Sequence, residues 1–261
     1  MSGESIVLLE LTDLALAYGL ILLAIGLSRL YRLGWEGQML WASVRMVAQL
    51  LAVGYVLHLV FALDSPVPVL LILLVMGGFS VQVLASRVKD RMPGFYRVVG
   101  SSIFLGCGVV TFLFCAFIVG YAPWYAPRYL IPLAGMIIGN SMNGASLAAE
   151  RLGAEIRDRR EEIETSLSLA ASARQAAQPA LRSAFRAALI PTVNTMAAMG
   201  IVALPGMMTG QILSGTAPAV AVRYQIAIMC AITGSVALTS FLILLQGYRG
   251  YFTSAQQLRE P

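Results

Sequence analysis

Long apolar runs limit how this sequence can fold more than any other feature does. A helix needs roughly 20 residues to cross the hydrocarbon core of a bilayer, and we predict seven such spans. Their bounds are 11–30, 38–61, 67–85, 98–121, 128–150, 192–213 and 220–246. Each run must be a helix because lipid offers no partner to backbone polar groups. The alternating residues that a membrane β-barrel requires are absent from the sequence.

The composition agrees with a membrane protein. Only 12% of the residues are charged, whereas a soluble domain carries about a quarter. We therefore predict an all-α fold, a polytopic transmembrane bundle that forms one domain over residues 1–261. The net charge of +5 follows the predicted loops, so we expect membrane lipid and no nucleic acid as a partner.

Basic residues set the predicted orientation, because Lys and Arg favour cytoplasmic loops. One side of the spans carries Arg29, Arg32, Arg87, Lys89, Arg91, Arg97, Arg151, Arg157, Arg159, Arg160, Arg174, Arg182, Arg186, Arg249 and Arg259. The opposite side has only Arg128 and Arg223. We therefore predict an outside N-terminus and a cytoplasmic C-terminus. The N-terminal Glu4, Glu10 and Asp13 lack the basic region of a signal peptide, so the first run should stay as a span.

The polar segment 151–191 predicts a long helical loop on the cytoplasmic side, between spans five and six. Glu155 precedes Arg159 by four residues, a favourable order for an ion pair on a helix. The apolar residues form one helical stripe: Leu152, Ile156, Ile163 and Leu167. A solvated amphipathic loop fits this pattern. The more specific interpretation is a lever that a partner protein pushes.

The turn of this segment predicts a second, short helix. Ser172 followed by Gln175 has the form of a capping box, which starts a helix. Pro179 limits that helix, and Pro191 predicts a break or kink where the apolar sequence resumes. The segment should therefore contain a long helix, a turn, a short helix and a return helix.

Polar residues within span five form a candidate pathway. Steps of four, three, four and three residues place five side chains on one face of the helix: Met136, Asn140, Asn143, Leu147 and Glu150. Two asparagines are costly against lipid, so this face should meet protein or a water-filled path. Hydrogen bonds that only hold the bundle together fit equally well.

Small residues in the same span predict close helix packing. Gly135 and Gly139 form a GxxxG pair, and Gly144, Ala145 and Ala148 continue the pattern. This face is a candidate for contact with a second copy of the chain, or for packing within one copy.

Span six is predicted to be a broken helix. Pro205 and Gly206 interrupt it, and Thr209 and Gln211 follow. Carbonyls freed at such a break can line a cavity or coordinate a cation, whereas a kink used only for packing is the alternative. Methionines crowd this region: Met136, Met142, Met196, Met199, Met207 and Met208. Thioethers suit monovalent copper, but we favour adaptable packing.

The sequence contains no GxxxxGK[ST] phosphate loop, so any ATPase should be another chain. It also lacks the HExxH and GxSxG motifs of hydrolases, so we expect no enzymatic activity and no catalytic residue in this chain. No carboxylate or histidine cage for a metal is evident. Arg87, at the inner end of span three, is expected to snorkel towards the interface.

Three stretches carry a resemblance: GNSMNGAS (139–146), LPGMMTGQILSG (204–215) and AVRYQI (221–226). With nearly the whole chain they resemble the FetB-type permeases, the membrane subunits of a bacterial iron-export ABC transporter, which have plant relatives associated with aluminium tolerance. The resemblance implies two permease copies joined to two separate FetA-type subunits that bind ATP and Mg²⁺. It also implies a bacterial inner membrane and a metal-ion cargo. No cofactor is expected in this chain.

The resemblance gives segment 151–191 a role in coupling to the ATPase. Residues of the coupling loop would be Glu164, Leu167, Leu169, Ala171, Ser172, Arg174 and Gln175. Arg174 and Gln175 would make exposed contacts. Ala171 stands where relatives have glycine in an LGAS pattern, and alanine there predicts a helical turn or a negative φ.

The expected function is ATP-driven export of iron, a related metal ion or a metal chelate. The translocation pathway would use Asn140, Asn143, Met207, Met208, Thr209 and Gln211. Two alternatives stay open. One is a permease for an organic solute such as a nucleotide-sugar, whose hydroxyls suit Asn, Thr and Gln. The other is a membrane channel or scaffold that works without an ATPase.

Overall fold

A computed structural model describes residues 10–63, 65–88, 91–253 and 255–259. Glu4 and Lys89, which entered the predicted topology, lie outside these residues. The described residues form α-helices, short π and 3₁₀ turns and two isolated backbone bridges, with no strand among them. The predicted all-helical class is confirmed.

Ten α-helices occur within the described residues. They are α1 Leu11–Leu30, α2 Glu36–Phe61, α3 Pro66–Arg87, α4 Phe95–Leu113, α5 Pro127–Asp158, α6 Arg160–Ser168, α7 Ala173–Ala176, α8 Gln178–Ala198, α9 Gly206–Leu213 and α10 Pro218–Gly247. Helix α4 continues as a π-helical turn, Phe114–Val119, and α10 continues as a 3₁₀ turn, Tyr248–Tyr251.

Five of these helices are long and apolar enough to cross a bilayer: α1, α2, α3, α4 with its π turn, and α10 with its 3₁₀ turn. They coincide with five of the seven predicted spans. Helix α5 contains the fifth predicted span, but Asn140 and Asn143 make it more polar than these five. The sixth predicted span is divided between α8 and α9. That the fifth and sixth predicted spans cross the bilayer stays a prediction.

Helices α1 and α2, with Leu213–Gly215, form one of two compact units. Tyr18 and Ser43 share a hydrogen bond of 2.7 Å between their hydroxyl oxygens, and Ser28 donates to Glu36 at 3.1 Å. Buried positions in this helix pair include both serines, whereas most leucines are exposed. This arrangement inverts that of a soluble helix pair and fits helices surrounded by lipid.

The second unit is built around α5, which packs against α3, α4, α8 and α10. Gly144 marks a tight contact among three of these helices. A Cβ there would lie 2.6 Å from Val236 Cγ1 on α10 and 3.3 Å from the Ala188 carbonyl oxygen on α8. One turn away, the buried hydroxyls of Ser141 and Ser235 bond to each other at 2.7 Å. Small side chains let these three helices meet.

The GxxxG pair makes a looser contact within the chain. A Cβ at Gly135 would lie 3.1 Å from the flexible end of Met76, and a Cβ at Gly139 would have no neighbour within 4 Å. Ala145 and Ala148 are fully buried. The close approach therefore lies at Gly144 and these alanines, and contact of Gly139 with a second copy stays a prediction.

The break in the sixth predicted span is confirmed and is longer than expected. Helix α8 ends at Ala198 and α9 begins at Gly206, with Gly200 at a φ of +85° between them. A break at Pro191 is wrong, because this residue lies inside α8. Contacts of α8 with α5 and α10 hold the helix on both sides of the proline.

We expect Gly144→Ala to lower the free energy of unfolding by about 1–3 kcal/mol, because its methyl group would overpack the contact with Val236. Gly139→Ala is the matched control on the same helix, and it should be neutral or stabilise by up to about 1 kcal/mol. Thermal unfolding in detergent measures both. Equal effects would contradict the assigned packing.

Candidate functional site

A cleft of about 240 Å³ lies where α5, α8, α10 and the break before α9 meet. Its walls mix thioethers, amides, hydroxyls and aliphatic groups. The lining residues are Met136, Asn140, Asn143, Gly144, Ala188, Pro191, Thr192, Thr195, Met199, Pro205, Gly206, Met207, Gln225, Met229 and Ile232. The helix break thus contributes to a cavity, as the sequence predicted.

The structure brings half of the predicted pathway residues together. Those that line the cleft are Asn140, Asn143 and Met207. Those that lie further along α9, partly buried and outside the cleft wall, are Met208, Thr209 and Gln211. The Thr209 hydroxyl donates to the carbonyl oxygen of Pro205 at 3.0 Å, which links it to the break. A transport role for all six residues stays a prediction.

The two asparagines make different contacts. Asn140 Nδ2 donates to the Met136 carbonyl oxygen of its own helix at 2.8 Å. Asn143 Oδ1 accepts from Arg87 Nη1 at 2.9 Å, which ties α5 to the end of α3. Arg87 therefore lies over α5 and not simply towards an interface. It places a positive charge beside the cleft, which disfavours a bare cation at that end.

Gln225 is a cleft residue that the sequence analysis missed. It is only 7% exposed, and its Nε2 donates to Met199 Sδ at 3.8 Å. Its Oε1 accepts no hydrogen bond from the described residues. A buried amide oxygen without a partner is costly unless something else satisfies it. The signal was present, since Gln225 is a polar residue inside the apolar run of α10.

The cleft offers neutral donors. The described part of the chain contains no group of three or more His, Cys, Asp or Glu residues placed to hold a metal ion. Amide and hydroxyl oxygens with thioether sulfurs would bind a ligand without a strong charge. Such a site releases its ligand readily, which transport requires.

The hairpin after the cleft has its predicted form. Helices α5 and α6 lead to a turn, α7 follows, and α8 returns. Leu152, Ile156 and Ile163 are buried in one cluster, and Leu167 packs against it. The predicted apolar stripe is thus the inner face of a packed hairpin. Tyr248 and Phe252, beyond α10, belong to the same cluster, so the hairpin and the C-terminal segment lie on the same side of the helices.

Glu155 holds the hairpin together through three side chains. It is 5% exposed and accepts from Arg159 Nε at 2.6 Å, from Ser183 Oγ on α8 at 2.7 Å and from Arg151 Nη2 at 2.5 Å. The predicted pair of Glu155 and Arg159 is confirmed. The Ser183 hydrogen bond, followed by that from Arg159, lowers the pKa of Glu155 to about 2 from an ordinary 4.5.

The turn after α6 is a Schellman motif with alanine in place of glycine. The Ala170 amide donates to the Leu167 carbonyl, and the Ala171 amide donates to the Ser166 carbonyl, both at 3.0 Å. Ala170 has a φ of +66°, in the left-handed region. The left-handed residue of this turn is therefore Ala170, which the sequence analysis did not single out. Ala171 is not among the described residues with positive φ.

The predicted capping box is confirmed. Ser172 Oγ accepts from the Gln175 amide at 3.4 Å, and Gln175 Oε1 accepts from the Ser172 amide at 2.9 Å. The four-residue α7 follows, and α8 begins at Gln178 with Pro179 in its first turn. Gln256 from the C-terminal segment accepts from the Ala173 amide at 2.9 Å, which braces α7.

The remaining coupling residues lie around this turn. Leu169 is 80% exposed, and Arg174 and Gln175 are also exposed. Glu164 pairs with Arg160 at 2.8 Å along α6. The turn therefore presents an apolar and a polar side chain close together on a braced helix. Contact of these residues with an ATPase stays a prediction.

Residues 11–252 match UPF0014, described as an uncharacterised protein family. The chain belongs to the UPF0014 family. The match covers all ten α-helices of the described residues, the cleft and the hairpin. It ends just beyond the 3₁₀ turn that follows α10.

UPF0014 relatives cover nearly the whole chain. The UPF0014 membrane protein slr1647 of Synechocystis is 43% identical over 98% of each chain. The probable iron export permease protein FetB of Escherichia coli is 34% identical over 94% of this chain and 93% of its own. Protein ALUMINUM SENSITIVE 3 of Arabidopsis thaliana is 31% identical over 94% of this chain and 88% of its own.

The resemblance to FetB-type permeases and to plant aluminium-related proteins is confirmed. This UPF0014 chain is a membrane protein with several apolar helices. No solved structure matches it significantly.

Glu155→Gln should lower the free energy of unfolding by about 1–3 kcal/mol, because hydrogen bonds to a charged group are lost. Since the folded pKa lies below the unfolded one, the stabilisation by Glu155 is complete above pH 4.5 and disappears as the pH falls towards 2. Thermal unfolding at pH 7 and pH 3 measures this. The matched control is Glu162→Gln, whose exposed carboxylate pairs with Arg159 at 3.3 Å. A Glu155→Gln variant as stable as this control at pH 7 would refute the role of Glu155.

Ala170→Gly should leave stability unchanged or raise it by up to about 1 kcal/mol, because glycine accepts the left-handed backbone without strain. Ala171→Gly, one residue away, should lower the free energy of unfolding by about 0.5–1 kcal/mol, because glycine there only increases the conformational entropy of the unfolded chain. Hydrogen exchange across α6 and α7 measures both. The opposite order of the two variants would place the left-handed residue at 171.

Proposed function

We propose that this chain is the permease subunit of an ABC exporter in the bacterial inner membrane. It moves iron, a related metal ion or a metal chelate out of the cytoplasm. A separate subunit binds ATP and Mg²⁺ and hydrolyses the ATP, so this chain is no enzyme. Two copies of each subunit form the transporter, with the hairpin and C-terminus in the cytoplasm.

The course of α8 is the observation that carries this proposal. Its first turn, at Gln178, lies directly after the capped tip helix α7. Its last turns contribute Thr192 and Thr195 to the cleft. The helix has 21 residues and spans about 30 Å at 1.5 Å per residue. Displacement of the tip by a partner therefore reaches the cleft through one continuous element.

The tip is built to transmit such a displacement. Glu155 joins α5 to α8 through Ser183, and the cluster around Ile163 fills the space between the helices. A solvated loop would bend when pushed, whereas a packed hairpin moves as one body. Arg174 and Gln175 remain exposed at its end, available to a groove on an ATP-binding subunit.

The cleft chemistry supports a cargo that is bound loosely and released. Gln225 Oε1 and the amides of Asn140 and Asn143 supply oxygen donors, and Met199 and Met207 supply thioethers. The positive charge of Arg87 beside Asn143 favours a chelate or an anion-paired metal over a bare ion at that end. Iron as the metal comes from the name of the Escherichia coli relative.

An organic solute such as a nucleotide-sugar is the second candidate cargo. Amide and hydroxyl groups in the cleft suit sugar hydroxyls, and the Arg87 guanidinium suits a phosphate. The cleft alone of about 240 Å³ holds only part of such a solute. This candidate has the same hairpin and the same ATP-binding partner, and it differs only in the transported molecule.

Inside-out vesicles that contain this chain and its ATP-binding subunit test the proposal. We expect ATP-dependent uptake of Fe²⁺. Gln225→Leu should lower that uptake about fivefold, because one hydrogen bond to a water or other ligand carried by the metal is worth about 1 kcal/mol. Arg174→Glu should abolish both subunit association and stimulated ATP hydrolysis. Gln225→Leu should leave subunit association intact.

Gln82→Leu and Arg186→Glu are the matched controls, since both side chains are exposed and neither lines the cleft or the tip. Both should transport as the wild type does. Uptake at full rate without ATP would contradict the exporter. Uptake of a nucleotide-sugar, with no uptake of metal, would show that the cargo is an organic solute and not a metal.

A further inference from the structure

A separate groove of about 370 Å³ lies between the first half of α8 and the end of α10. Leu181 and Phe185 form one wall, four residues apart on α8. Phe241 and Leu245 form the other wall with the same spacing on α10, and buried Tyr248 belongs to the floor. Two helix faces of matching period therefore enclose a narrow apolar trough.

The groove changes from apolar to polar along its length. At one end the rings of Phe185 and Phe241 meet edge to face, with centroids 6.5 Å apart. At the other end Arg174 and Gln178 line the mouth, beside α7 and the 3₁₀ turn after α10. Helix α10 is long and apolar enough to cross a bilayer. Phe241, at the aromatic end, falls within the seventh predicted span, whereas Arg174 and Gln178, at the other end, belong to the polar hairpin.

The arginines at the mouth carry unneutralised charge. In the described part of the chain, Arg174 and Arg182 have neither a carboxylate nor a hydrogen-bond partner, and both are exposed. Three arginines from the end of α5 to the start of α6 contrast with them, because Arg151, Arg159 and Arg160 all pair with glutamates. The mouth is thus a site of positive charge at the membrane boundary.

We propose that this groove binds one anionic phospholipid. Arg182 binds the headgroup phosphate, for which the planar guanidinium fork is well suited, and Arg174 adds positive charge at the mouth. One acyl chain lies along Phe185, Phe241 and Leu245. Basic pockets beside membrane helices attract anionic headgroups in this way. The site is independent of the cargo cleft, although α8 borders both.

A lipid fits the groove better than a soluble protein partner does. Phe241 is 49% exposed on the part of α10 that approaches the hydrocarbon, where a soluble partner has no access. A neutral lipid would leave both arginines without an anion. Apolar walls and a cationic mouth together match the two ends of an acidic phospholipid.

Native mass spectrometry of the purified chain with added phosphatidylglycerol or phosphatidylcholine tests the proposal. The wild type should retain one phosphatidylglycerol molecule in preference to phosphatidylcholine. Arg182→Gln should bind phosphatidylglycerol about fivefold more weakly. Leu245→Trp should displace the lipid by filling the groove while both arginines remain. Thermal unfolding in phosphatidylcholine nanodiscs identifies any variant that does not fold.

Arg186→Gln is the matched control. This arginine lies one turn from Arg182 on α8, is exposed and does not line the groove. It should retain the lipid as the wild type does. An equal loss of bound phosphatidylglycerol in Arg182→Gln and Arg186→Gln would overturn the proposal. Retention of the lipid by a folded Leu245→Trp variant would also overturn it. A folded Arg182→Gln variant that retains phosphatidylglycerol as strongly as the wild type does would refute the headgroup contact and with it the proposal.

Discussion

Close packing of α5 against α8 and α10 is the constraint on which the second unit depends. At Gly144 the space for a side chain is already filled by Val236 and by the backbone of α8. Lipid provides little hydrophobic drive between helices, so close backbone approach and hydroxyl pairs such as Ser141 with Ser235 supply the association. The same three helices border the cleft, which lies beside this contact and extends to the non-helical segment after α8.

Helix α8 connects the features that bear on function. It starts directly after α7 and forms one wall of the groove between α8 and α10. Further along, Ala188 packs against Gly144, and the helix ends at the cleft. A proline inside this helix does not interrupt it, because packing on both sides compensates for the lost hydrogen bond. The segment 199–205 that follows α8 is not helical, and its backbone amides bond back to Ala198 and within the segment.

Much of this arrangement could be predicted from local patterns. Of the seven spans predicted from apolar runs, five coincide with helices that are long and apolar enough to cross a membrane. The capping box and the Glu155–Arg159 pair were both found. Gln225 was missed because a single polar residue in an apolar run resembles ordinary helix packing. The positive φ at Ala170 was not predicted, because the hydrogen bonds of a helix end, and not the residue type, decide where the chain turns.

The sequence by itself determined the helical class, the polar hairpin and the position of the broken helix, because each follows from residues close together in the chain. Only the tertiary structure decided which polar groups share a cleft and that Arg87 reaches Asn143. It also decided that Arg174 and Arg182 lack partners among the described residues, whereas Arg151, Arg159 and Arg160 pair with glutamates. These facts depend on contacts between residues far apart in the sequence. Helical period fixes the face on which a side chain lies, but the packing of other helices decides what that face meets.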